Sequence, residues 1–354
     1  VHLLSRYKHG LSKTEIINNI NVYRVGYKLP SILTQPLQGN PVWDNAIEFY
    51  IRKIKPDLLI VREILLAVSV GRFAKKYGIP VVMDIAEHYP AAMRDFKKYN
   101  SNFFLRFAVH KLKLPDRIEK ASVKLMDGII VVCGEQIQRL HGYYGYPIDN
   151  IQIVHNTVSL NQFEKKEHIP FIDGVKILHH GWMSAEKSLT NLIIAFQDSL
   201  KISPDLRLIL AGTGECEEEY KKLAEKEIQS GKIKFIGKYD YNNLGDLINE
   251  CDFGIIPYQN SDFNNYTIHN KIFDYFALGK PVVVSNNKPL ARIVKTTDSG
   301  FICDSSVEGF YSILAELKFR NYKYYSKNAY NAFINHYNWE NDSKNLIEFI
   351  KRFI

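Results

Sequence analysis

The chain has 354 residues, 46% of them hydrophobic and 24% charged, with 20 Gly and 13 Pro. That length holds two domains of ordinary size, and the composition excludes disordered, collagen-like and low-complexity classes. Forty-six Lys and Arg against 38 Asp and Glu leave a net charge of +8, a basic excess compatible with nucleic acid, an anionic membrane surface or a phosphate-bearing substrate.

Four cysteines, Cys133, Cys216, Cys251 and Cys303, lie too far apart for a zinc spacing and are too few for a disulfide framework, so a reducing cytoplasmic setting is expected. The most apolar stretch, Leu58 to Val70, is broken by Arg62 and Glu63 and falls short of the roughly 20 apolar residues of a membrane span. The opening "VHLLSR" has no initiator Met and no charged leader, and reads as an internal start.

In chain order, short β-branched runs alternate with stretches of helical period, the pattern of a parallel sheet covered by helices on both faces. Strands are expected at 21–26, 57–63, 80–85, 128–133 and 151–156, with helices at about 43–54, 64–78, 104–126 and 135–144. Residues 157–174 turn polar and lose their period, which marks a domain boundary. The alternation restarts with strands at 175–181, 206–212, 233–237, 252–258, 281–285 and 300–303. The fold class is therefore α/β, with two facing Rossmann-like doubly wound domains over 1–160 and 174–335. A final helical segment, 336–354, is expected to cross back to the first domain.

In open α/β sheets ligands sit beyond the carboxyl ends of the strands, so the strand-to-helix turns are inspected first. After the strand at 175–181 comes "GWMSAEKSLTNLIIAF", where Ser184 is a natural N-cap and Lys187 stands where a capping box would place an acid. Farther on, "HNKIFDYFALGKPVV" opens a helix with Asn270 and Lys271 and sets Asp274 on the same face. A phosphate held between the two lysines would gain charge and backbone amides together, and Asp274 would accept hydrogen bonds from sugar hydroxyls. The plainer alternative is a solvated Lys271–Asp274 pair with Lys187 extended to water. "LILAGTGE" places Gly212 and Gly214 after a strand, where backbone can approach a ligand, though it lacks the full dinucleotide fingerprint. Tyr258 and Tyr266, in the loop after 252–256, suit a base or sugar, or simple packing.

In the first half, "PVVMDIAEHYP" clusters Asp84, Glu87 and His88 after a strand, with Arg62 and Glu63 at the end of the preceding one. A carboxylate and an imidazole there would position or deprotonate a hydroxyl nucleophile; a capped turn with a bonded histidine is the alternative. The stretch 94–124 carries nine Lys or Arg against three Asp or Glu, with Phe103, Phe104, Leu105, Phe107 and Val109 interleaved. This suits an anionic membrane surface, or a core helix with a basic face. It lacks the aromatic signatures of RNA-binding modules, so nucleic acid is not an expected partner.

Taken together, "IQIVHNTV", "ILHHGWMSAEKSLTNLIIAF", "LRLILAGTGE", "HNKIFDYFALGKPVV" and the closing "HYNWE" resemble the retaining GT-B glycosyltransferases of the family-four type, from Asp57 to the end of the chain. The resemblance implies transfer of a sugar, with retention of configuration, from a nucleotide-diphosphate sugar to a hydroxyl of a glycan or lipid-linked acceptor, in surface polysaccharide biosynthesis. It implies no cofactor and no metal. Lys187 and Lys271 would meet the diphosphate and Gly181 would allow its approach. Asp274 would bind the ribose, with Gly212, Tyr239, Asn270 and Tyr266 completing the donor side. His88 would serve the acceptor, beside Arg62, Asp84 and Glu87. Tyr266 stands where the family usually carries Glu, and the family's opening βα unit has no counterpart before Val1. A nucleotide-sugar epimerase on the same scaffold, or an inactive scaffold subunit, are the alternatives, and the setting is the cytoplasm or the inner membrane face.

Overall fold

A computed structural model describes residues 1–95 and 97–354, apart from the side chains of Lys97 and Lys98. Phe96 and those two side chains, part of the basic aromatic stretch 94–124, therefore lie outside the described residues. The chain divides into two compact units.

The first unit comprises Val1–Val132, Gln136–Ile153 and Leu346–Ile354. Strands β1 (His2–Arg6), β2 (Thr14–Ile17) and β3 (Ile20–Val25) form a sheet in the order β1-β3-β2, with β1 parallel and β2 antiparallel to β3. Strands β4 (Leu59–Arg62), β5 (Val81–Ile85), β6 (Gly128–Val131) and β7 (Ile151–Ile153) form a second, wholly parallel sheet in chain order. β6 is an uninterrupted apolar run and β5 is apolar but for Asp84, as befits strands covered by helices on both faces. The β4–β5 register aligns Arg62 with Asp84 at the carboxyl ends. Against the first sheet packs helix Pro41–Ile54, started by the Asn40 side chain accepting from Val42 N–H and burying Trp43, Ile47 and Ile51.

Two strands were not foreseen here and one expected helix fails, each for a physical reason. β1 and β2 escape the periodic reading because they are short, mixed in polarity and largely unburied. The helix expected over 104–126 is broken into Phe103–Arg106, a π-turn Phe107–Lys111 and helix Leu114–Val123. Pro115 has no N–H to continue a helix, and Lys113 before it turns left-handed, at φ 49°.

The second unit comprises Cys133–Glu135 and Val154–Asn345. Its strands β8 (Lys176–His180), β9 (Arg207–Ala211), β10 (Ile233–Gly237), β11 (Phe253–Ile256), β12 (Val282–Ser285) and β13 (Gly300–Cys303) form one parallel sheet in the order β10-β9-β8-β11-β12-β13. The order reverses between β8 and β11, so the crevice outside their carboxyl ends is the topological switch point. Helix Leu189–Ser199 buries Leu189, Leu192, Ile193 and Phe196 against this sheet. Ser184, however, does not cap that helix. It precedes a separate 3₁₀ turn, Ala185–Lys187, and gives its hydroxyl to Glu186; the long helix begins after Ser188, at φ 50°. Lys187 therefore stands ahead of the long helix and not in its first turn.

The last helix, Trp339–Ile350, contributes to both units. Its Asp342 accepts from His155 N–H at 3.1 Å and from the Thr157 hydroxyl at 2.7 Å. Beyond Leu346, Phe349 and Phe353 fill the space a side chain at Gly128 would need. Among the described residues no helix is long and apolar enough to cross a membrane.

Candidate functional site

At the switch point of the second unit, the turn after β8 and the loop after β11 bring two lysines onto one tyrosine. Lys271 Nζ donates to Tyr258 Oη at 2.7 Å, and Lys187 Nζ lies 4.1 Å from the centre of the same ring. Tyr258 is fully buried. The alternative of a solvated Lys271–Asp274 pair is therefore not what the fold builds. Among the described residues no carboxylate forms an ion pair with Lys271, and burial pulls its ammonium down to about 8. Lys187 is also largely covered and has Glu186 3.7 Å away.

Gly181 is held at φ 117°, and a Cβ there would come within 2.8 Å of Lys271 Nζ and 2.5 Å of its Cε. Only glycine leaves the lysine its place. Gly212, at φ 128°, has a different reason for being glycine: a Cβ would lie 1.9 Å from the carbonyl oxygen of Gly181. The turns after β8 and β9 thus pack backbone on backbone, joined by Gly181 N–H to Ala211 O at 2.8 Å. The close approach expected of Gly212 is to this neighbouring turn, which in turn fixes Gly181.

Asp274, 6% exposed, accepts from the Tyr241 hydroxyl at 3.2 Å and lies 3.6 Å from His180 Nε2. Burial raises its carboxyl to about 6, against the opposing effects of the Tyr241 bond and Lys271. Tyr239 meets His180 Nδ1 through its hydroxyl at 3.1 Å, so the three groups line one edge of the cluster. Asn270 is exposed and makes no capping bond at the start of helix Lys271–Ala277. Tyr266 is half-buried and has Lys288 over its ring at 5.6 Å.

Sequence reasoning passed over His179, His180, Tyr241 and His269. Burial holds all three histidines neutral, helped by both lysines at His179 and His269 and by Lys271 at His180, with His179 at about 3. His179 and His269 pack edge-on against Tyr258. Two histidines at the carboxyl end of a strand, "ILHH", were the available signal. The arrangement offers two cations, close backbone and a hydrogen-bonding carboxylate, which is what a diphosphate joined to a ribose needs.

In the first unit, Arg62 and Asp84 form an ion pair at 2.5 Å across β4 and β5. Next to it Glu63, at φ 59°, accepts from Ala86 N–H at 3.0 Å while its other carboxylate oxygen is buried without a hydrogen bond. Desolvation raises Glu63 to about 8, so it carries a proton at neutral pH. Glu87 is half-buried. His88 is buried, and desolvation together with the positive Arg139 and Arg94 pulls it down to about 2. Such an imidazole stays neutral and is a poor proton acceptor at pH 7; it is suited to holding a hydroxyl, not to deprotonating it. Arg139 is itself locked below by Glu119, in a buried two-bond pair at 2.6 and 2.9 Å. Among the described residues no group of three or more His, Cys, Asp or Glu is arranged to hold a metal ion.

Two family models match the chain in succession. "Glycosyltransferase Family 4" covers residues 1–162 and "Glycosyl transferases group 1" covers 161–332. A GDP-mannose-dependent α-(1-6)-phosphatidylinositol dimannoside mannosyltransferase of Mycobacterium tuberculosis is 23% identical over 278 residues, covering 75% of this chain. The chain spans 66% of the length of that curated relative. Among solved structures, a sucrose-phosphate synthase from Thermosynechococcus elongatus superposes with a TM-score of 0.77 at 13% identity, over 99% of this chain and 88% of that one. Anabaena HepE in complex with UDP gives 0.70 at 14% identity, over 94% and 86%. With both models matched in order over two α/β units of this topology, the chain belongs to the family-four type of GT-B glycosyltransferases.

Proposed function

We propose that the protein moves a sugar from a nucleotide-diphosphate sugar to a hydroxyl of a glycan or lipid-linked glycan, with retention of configuration, in the building of a surface polysaccharide. The observation that carries this reading is the convergence of Lys187 and Lys271 on Tyr258 beside Gly181, at the switch point of the second unit. In the reaction the bond from the anomeric carbon to the diphosphate breaks, a bond to the acceptor oxygen forms, and the hydroxyl proton leaves with the diphosphate or to solvent. Charge builds on the departing diphosphate, and two largely covered ammonium groups stabilise it better than water would. Asp274, flanked by Tyr241, takes the ribose hydroxyls, and Tyr239 and Tyr266 lie on the nucleoside side. The first unit serves the acceptor, with His88 as a neutral hydrogen-bonding group near Arg62, Asp84 and Glu87. The nucleotide sugar is a substrate and the reading calls for no cofactor. The acceptor is met at an anionic membrane surface on the cytoplasmic side.

The GDP-mannose dependence of the mycobacterial relative and the UDP held by HepE make these two bases the first to test. A thermal-shift panel of UDP-, GDP- and ADP-sugars reads binding directly, since ligand at 100 times its dissociation constant adds about 2.7 kcal/mol. One nucleotide is expected to raise the melting temperature of the wild type. Lys271→Ala should lose that shift and about a hundred- to a thousandfold in turnover while remaining folded. Near-normal transfer by Lys271→Ala would sink the assignment.

A further inference from the structure

Exposed apolar side chains are ordinary on a protein surface and by themselves call for no explanation. Residues 102–114 of the first unit are different. Phe103 is 66% exposed, Phe104 79% and Phe107 47%, and Leu105, Leu112 and Leu114 are each more than 40% exposed. Their presentation is ordered: Asn102 Oδ1 accepts from Phe104 N–H at 2.9 Å and from Leu105 N–H at 3.2 Å, fixing the turn. The Phe103 and Phe104 rings meet edge to face at 5.7 Å. Val109, on the opposite side of the π-turn, is buried and ties the segment to the body of the unit.

The charge along this segment has one sign. Between Asn102 and Leu114 the sequence holds Arg106, Lys111 and Lys113 and no Asp or Glu. The excess is local to the first half: up to Leu160 there are 22 basic and 13 acidic residues, whereas the rest holds 24 and 25. A protein partner's interface depletes lysine. Exposed phenylalanines and leucines set among cations alone fit a layer whose interior is apolar and whose surface is phosphate.

We infer that residues 102–114 dock the protein onto an anionic phospholipid bilayer, with Phe103, Phe104 and Phe107 entering the interface and Arg106, Lys111 and Lys113 on lipid phosphates. The inference names the face that meets the membrane in the proposed function, and rests on that reading only for the choice of lipid as partner.

Flotation with phosphatidylcholine vesicles, with and without phosphatidylglycerol, tests it on the full chain. The wild type should bind the phosphatidylglycerol vesicles and bind the neutral ones about tenfold or more weakly, with the difference shrinking as salt is added. Phe103→Ser/Phe104→Ser should reduce binding by about tenfold or more, and Arg106→Gln/Lys111→Gln/Lys113→Gln should erase the preference for the anionic lipid. Ile172→Ser, an equally exposed residue of the second unit, should bind as the wild type does. Undiminished binding by Phe103→Ser/Phe104→Ser overturns the docking face and leaves membrane association standing; no binding of wild type to either vesicle overturns both. Equal binding to both vesicles overturns the anionic choice. The nucleotide thermal shift, measured on the same proteins, should be unchanged in every variant, and its absence from the wild type would count against the donor site alone.

Discussion

At pH 7 Lys271 and Asp274 are both held in the protonation state that burial disfavours, and this gives the proposed donor site a signature independent of turnover. Lys271 is pulled from its ordinary range near 10.5 to about 8. Between those values the unfolded chain binds the extra proton, so this group lets stability rise with pH there and imposes its whole cost below pH 8. Asp274 is raised from near 3.8 to about 6; between those values the folded protein holds the proton, so stability falls as pH rises, and the cost is complete above pH 6. At pH 7 both groups destabilise the empty protein. Lys271→Met and Asp274→Asn are therefore expected to raise the melting temperature without ligand while weakening nucleotide-diphosphate binding, the trade expected of a functional site. If either variant melts lower and binds equally well, the residue is structural. If the proposed donor site is right, Lys271 binds as a cation and Asp274 as an anion, so affinity measured by calorimetry should be greatest between about pH 6 and 8, falling through Asp274 on the acid side and through Lys271 on the alkaline side. Tyr258→Phe keeps the ring that faces Lys187 but removes the hydroxyl that accepts from Lys271. It should weaken a nucleoside diphosphate more than the matching nucleoside monophosphate, and the alkaline limb should move to lower pH.

The elements that hold these residues were legible in the sequence to an uneven degree. All six strands of the second unit could be read from their apolar runs, which are fully buried in the inner strands β11 and β12 and survive single polar residues such as Lys234 at the edge strand β10. The lysines could be placed at the strand ends from spacing alone. Their meeting on Tyr258 could not, since it depends on side chains brought from two loops by the reversal of strand order between β8 and β11. Glycine shows the same limit. "GTGE" invites a ligand-binding reading, yet Gly212 and Gly214 are glycines because their turn runs against the backbone of Gly181 and Met183. Gly212→Ala should accordingly cost more than about 2 kcal/mol in denaturant unfolding and weaken nucleotide binding through Gly181. Stability unchanged by that substitution would show that the two turns can separate. The break at Pro115 was also missed, because basic and apolar residues keep a helical spacing across it and only the lost N–H reveals the stop.

At the scale of the whole molecule, the first unit is assembled from three separated stretches of chain, and the last of them is short. Residues 346–354 add no strand; what they add is Phe349, 2% exposed, and Phe353, both set against Gly128 at the start of β6. Gly128 has no side chain, and the two rings occupy that space, so the sheet's interior on this side depends on residues more than 200 positions away in sequence. Arg352 adds a bond to the Asp149 carbonyl at 2.7 Å, close to β7. A chain built this way need not unfold in one step, and its two units can report separately. Phe349→Ala leaves a cavity against a strand that cannot relax into it, and should cost the first unit about 3–5 kcal/mol. In calorimetry one transition should fall in temperature while the transition raised by nucleotide diphosphate keeps its position and its ligand shift. If both transitions fall together, the two units unfold as one body and the last helix couples them; if neither moves, Phe349 is not part of the first unit's core.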